Sequence, residues 1–133
     1  MSNEKDSSRR AGILLHPTSL PGRHGVGDVG PEAIRFLDWA KAAGFSVWQV
    51  LPLGPTGLAN SPYAALSVFA GAPLLISPER LMESRLLPPA ALEVVPGFPD
   101  ERVDFETALA WKERLLRRAW EEARAGADPA ARA

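Results

Sequence analysis

The 133 residues include no cysteine, which excludes disulfide stapling and any thiolate-based zinc or iron–sulfur site. A surplus of charge is missing too: 15 basic side chains stand against 16 acidic ones, for a net charge of −1 and a pI near 6.1. Phosphate binding draws affinity from a basic surplus that releases counterions, so no nucleic-acid partner is expected. A third scarcity is local. Between Lys41 and Glu79 there is no Asp, Glu, Lys or Arg. That uncharged block is no membrane span, because Pro52, Pro55, Pro62, Pro73 and Pro78 interrupt it well short of the roughly 20 apolar residues a span needs. The start, MSNEKDSSRR, has no apolar core of a signal peptide and reads as a polar, disordered tail over residues 1–10 of a cytoplasmic protein. What remains is 46% hydrophobic and 23% charged, the profile of one ordinary globular domain.

Apolar patterning organises residues 11–125 as one unit, with a flexible tail over 126–133. Residues 11–16, AGILLH, read as a short strand that the prolines of residues 17–22 turn into a loop. A helix follows, capped by Asp28 or Gly30, with Pro31 in its first turn and Gly44 as its stop. Ala33, Ile34, Phe36, Leu37, Ala40 and Ala43 form its apolar face. Residues 45–51, FSVWQVL, form a nearly continuous apolar run, as in a strand covered on both faces. Strand, helix, strand predicts a βαβ unit with a parallel pair, hence an α/β fold. Residues 72–77 predict another short strand and residues 78–83 a short helix. The longest periodic stretch, residues 104–125, predicts a helix whose charged residues, Lys112 among them, form a solvated face.

Few residues offer chemistry. Gly25, Gly27 and Gly30 spell G-x-G-x-x-G, but residues 17–24 separate the motif from the strand, and the acid due about 20 positions later is missing. The motif reads instead as a loop built for tight turns and close backbone approach. His16 lies at the carboxyl end of a strand, where α/β folds place functional groups. His24 falls in a loop and is expected to be exposed. Ser61 and Tyr63 follow the second strand at the same edge and offer a hydroxyl and an aromatic face, groups that suit a sugar ring. Glycoside chemistry needs two carboxylates about 5–5.5 Å apart for retention. No such pair is placed at two strand ends, and Glu79 reads as a surface residue.

Read together, residues 12–22 (GILLHPTSLPG), 27–33 (GDVGPEA), 48–57 (WQVLPLGPTG) and 61–63 (SPY) resemble the amino-terminal part of the amylomaltases, which are 4-α-glucanotransferases. Residues 96–99, Val103-Asp104 and Ala110-Trp111-Lys112 extend the likeness to about residue 120. The resemblance implies a (β/α)8 barrel enzyme that transfers α-1,4-glucan segments to a glucan acceptor through a retaining covalent intermediate. A barrel of about 250 residues exceeds this chain, which is expected to hold only the barrel's amino-terminal portion. The family's catalytic acids come from later strands, so no catalytic residue is expected here and the chain alone should be inactive. The resemblance carries substrate contact onto Ser61 and Tyr63, and onto His16 and Asp28 in the motif loops. It implies no cofactor and no metal, and as partners α-1,4-glucans and the remainder of the barrel. An alternative is a non-catalytic α-glucan-binding or interaction module. The chain departs from the family at Leu58 (an aromatic there), at Ala59-Asn60 (Gly-Asp) and at Ala72 (Asn). These changes bear on a secondary glucan contact and a loop-fixing polar group. Strands with unpaired edges, and Trp39, Trp48 and Phe45 short of partners, predict association.

Overall fold

A computed structural model describes residues 9–57 and 60–127; Leu58, Ala59 and most of both expected tails lie outside the described residues. The order is β1 (Gly12–Leu14), α1 (Pro31–Ala42), β2 (Val47–Gln49), α2 (Pro78–Glu83) and α3 (Phe105–Ala127). Short 3-10 turns at Pro17–Ser19, Pro62–Ala64, Pro73–Leu75 and Pro89–Leu92 lie between them. As expected, β1 and β2 pair in parallel with α1 as the crossover, in the register Gly12↔Val47, Ile13↔Trp48 and Leu14↔Gln49. Both strands are shorter than predicted. Trp48 also pins the pair by donating from Nε1 to the Leu15 carbonyl at 2.8 Å.

Gly30, not Asp28, is the N-cap of α1, followed by Pro31 at the first helical position. The helix ends in a Schellman arrangement: Gly44 N–H donates to the Lys41 carbonyl and Phe45 N–H to the Ala40 carbonyl. Gly44 supplies the positive φ of 86° that this ending requires. Helix α2 ends the same way, through Arg85 to Met82 and Leu86 to Leu81, but with Arg85 at φ 60° where glycine is usual. Asp104 opens α3 by accepting from the amide and hydroxyl of Thr107, which holds its carboxyl below the usual carboxylate range.

Residues 72–77 are not a strand. Pro73 starts a 3-10 turn there, since its ring fixes φ and removes the N–H a ladder would need. The β1–β2 pair is not covered on both faces either: Leu14 and Val47 are exposed on the face they share. On α1 only Ala33 and Ala40 are buried, while Ile34, Leu37 and Trp39 remain exposed. Trp48 and Phe45 do find partners, Trp48 edge-on to Phe36 at 5.1 Å and Phe45 beside Trp39 at 6.3 Å. The core lies elsewhere, along α3. Trp111, Leu115 and Ala119 pack with Leu87 and Leu92, and Ala108 packs with Val26 and Leu74. Burying apolar area there contributes roughly 25 cal/mol per Å².

Candidate functional site

The chain leaves the carboxyl end of β1 into His16, whose ring caps the first 3-10 turn. Its Nδ1 accepts from the Thr18 amide at 3.3 Å and lies 2.7 Å from the Thr18 hydroxyl. An amide can only donate, so Nδ1 is the acceptor and Nε2 carries the ring proton, without a hydrogen-bond partner among the described residues. His16 stands on the wall of a half-open cavity of about 940 Å³. The loop after β2 (residues 54–57), the 3-10 turn at residues 73–75, and Phe105, Leu109 and Glu113 of α3 supply the rest of the lining. The cavity sits beyond the carboxyl ends of both parallel strands, the edge where α/β folds bind ligands. Its wall is mostly apolar, and only Glu106 and Glu113 bring charge.

Asn60 and Pro62 also line this cavity, which places Ser61 at its rim; Ser61 is half-buried. Asn60 takes a left-handed φ of 50°, which a short polar side chain tolerates, and this turns the chain into the Pro62–Ala64 turn. Tyr63 is 78% exposed, so its ring closes no core and is free to meet a ligand. His16 thus lines the strand-end cavity and Ser61 lies between two residues that line it, whereas Tyr63 is exposed and not among the lining residues.

Asp28 does not join them. It is buried, and Lys112 donates to its Oδ2 at 2.8 Å. Lys112 is the correction that matters most: it lies on no solvated face and is 1% exposed. Its ammonium also donates to the carbonyls of Leu74 at 2.7 Å and Ile76 at 3.1 Å. Burial lowers the Lys112 pKa, with the Asp28 charge opposing. Burial likewise raises the Asp28 carboxyl, against the pull of Lys112. His24, expected to be exposed, is buried as well; it stacks on Trp111 at 5.0 Å and sets Nδ1 3.3 Å from Glu79 Oε1. Burial lowers its pKa, with Glu79 opposing and the charges of Lys112 and Arg23 adding to the fall. Glu79 is therefore no free surface acid. Its other oxygen accepts from Ser77, which also caps α2.

Donor atoms of His24, Asp28 and Glu79 lie within 4.8 Å of one another. The group could be read as a carboxylate pair or a cation site, but each acid already has a partner, and the Lys112 ammonium supplies the local positive charge. Both acids border a separate cleft of about 260 Å³, away from the large cavity. The glycine motif serves this network: a side chain at Gly27 would strike the Pro17 carbonyl, and one at Gly30 would strike Ser77 and Asp28. Sequence reading missed Lys112, Ser77 and Glu79 as a unit. One signal was available. Ala108, Trp111, Lys112, Leu115 and Ala119 follow the i, i+3, i+4, i+7, i+11 stripe that faces a core, with the lysine in its middle.

The chain is similar to known proteins over most of its length. The model of the family described as 4-alpha-glucanotransferase matches residues 15–133. A 4-alpha-glucanotransferase of Synechocystis is 51% identical over 116 residues, and one of Thermus thermophilus is 50% identical over 121. These alignments cover 87% and 91% of this chain but 23% of each relative, so the chain spans about a quarter of the length of the relatives it matches. An amylomaltase from Streptococcus agalactiae, solved in complex with acarbose, superposes with a TM-score of 0.81 at 30% identity, over 92% of this chain and 25% of its own. The ordered motifs, the parallel strand pair and these matches place the chain in the 4-alpha-glucanotransferase family.

Proposed function

We propose that this protein works as the amino-terminal part of a 4-α-glucanotransferase, contributing the first βαβ unit of a (β/α)8 barrel and one wall of its glucan cleft. The observation that carries this reading is the apolar, half-open cavity at the carboxyl ends of β1 and β2, bordered by His16 and by the segment bearing Ser61 and Tyr63. Barrel enzymes bind substrate at that end. The open face of β1 and β2, with Leu14 and Val47 exposed, is the surface on which further barrel strands would pack. Transfer then proceeds by double displacement with retention, its nucleophile and acid/base supplied by polypeptide outside these 133 residues. Within this chain Tyr63 stacks on a glucose ring and Ser61 bonds a hydroxyl.

Titration of the chain with maltoheptaose, followed by calorimetry, tests the binding half. Saturable binding that weakens on Tyr63→Ala is expected, and the melting temperature should not move because that side chain is 78% exposed. No saturation at millimolar ligand defeats the reading. Maltotriose disproportionation tests the other half: the 133-residue chain should release no glucose, and robust release would overturn the assignment of the acids to other polypeptide.

A further inference from the structure

The turn at Pro73–Leu75 has two sides with different duties. Its front, Ala72 to Leu75, lines the large cavity together with His16. Its back is held at three successive carbonyls: Leu74 and Ile76 accept from Lys112, and Leu75 accepts from the Val29 amide at 3.0 Å. The third hydrogen of the Lys112 ammonium goes to Asp28. One compact cation with three donors thus satisfies three acceptors drawn from two segments that no secondary structure joins. A guanidinium, planar and larger, cannot converge its donors in this way, and an apolar side chain would leave two carbonyls and a carboxylate unpaired.

We propose that Lys112 is a positioning residue for the glucan cleft. From α3 it fixes the backbone of the 73–76 turn and, through Asp28, ties that turn to the glycine loop, so the cavity wall is set before a glucan arrives. This rests on the cavity being the glucan site, as proposed above. A wall held in advance spares the ligand the cost of ordering it. Lys112 touches no sugar; it acts through the turn.

The absence of cysteine makes the test clean, since Lys112→Cys introduces the sole thiol. The variant is alkylated while unfolded and then refolded. Aminoethylation restores an ammonium at nearly the reach of lysine, whereas S-propylation restores bulk alone. Maltoheptaose affinity and amide exchange at Leu75 and Ile76, both bonded within the turn, are read on both products. The aminoethylated protein should match the unmodified parent in both. The S-propyl protein should bind about tenfold more weakly and exchange those amides faster, even where its melting temperature recovers. Parental affinity in the S-propyl protein overturns the proposal, because lysine would then only fill space. If the parent itself binds no maltoheptaose, the glucan reading fails. Exchange then decides the rest: equal protection at Leu75 and Ile76 in both products defeats positioning.

Discussion

Placing a methyl group at position 25 tests how the glycine loop is built. Gly25 has φ 75°, and a side chain there would land on the ring of Phe98. Two costs follow. A left-handed conformation costs an L-residue about 1–2 kcal/mol, and forcing a carbon into the packed Phe98 contact adds about 1–3 kcal/mol. Gly25→Ala should therefore destabilise by about 2–5 kcal/mol, a large share of the roughly 5–15 kcal/mol that stabilises a typical domain. The costs separate in a double-mutant cycle. Phe98→Ala removes the obstructing ring, so Gly25→Ala in that background should cost only the backbone part, about 1–2 kcal/mol. Urea unfolding followed by far-UV circular dichroism reads all four proteins, with added sulfate to keep the double variant folded. Equal costs in the two backgrounds would refute the steric argument. A loss below about 1 kcal/mol in the parent background would refute both parts, since even the backbone term alone exceeds it.

Other expectations concern the polar network and the helix ends. The folded-state pKa of His24 is lowered by burial, so the unfolded chain takes up its proton first; stability should fall as pH drops below about 6.5 and level off beneath the folded value. His24→Gln should remove that slope from pH-dependent urea midpoints, and a slope that persists would assign it to another group. Ser77→Ala should cost about 1 kcal/mol, because Ser77 caps α2 through the Arg80 amide; a change under a few tenths in thermal unfolding would mean the cap is idle. Arg85→Gly should stabilise by up to about 1 kcal/mol, since Arg85 occupies the left-handed position of a Schellman ending. A lower melting temperature for that variant would show that the arginine compensates elsewhere.

The sequence by itself determined the local architecture and the family. Proline and glycine act within a few residues of themselves, so the loop after β1 and the Pro31 start and Gly44 stop of α1 could be read directly. Periodicity placed α1 and α3, and the order strand, helix, strand gave the parallel pair. The place of His16 at the end of β1, and of residues 60–62 beside the same cavity, followed from that order. Tertiary structure decided the rest. Asp28 and Lys112 are 84 positions apart, and no local rule relates two oppositely charged residues at that distance. Only packing α3 against the glycine loop brings them together, and burial then makes each depend on the other. His24 and Glu79 were misread for the same reason, because exposure belongs to the neighbours a residue acquires and not to its own polarity. Covering of the strands was overestimated by the same route: an apolar run records the surface a strand is suited to meet, whereas burial requires that surface to be present. Residues 72–77 show the boundary between the two kinds of information. Their apolar content suggested a strand, and their proline favoured a turn. The turn is then held in place by a lysine from α3 and by the Val29 amide, because three successive carbonyls, those of Leu74, Leu75 and Ile76, take donors from outside residues 72–77.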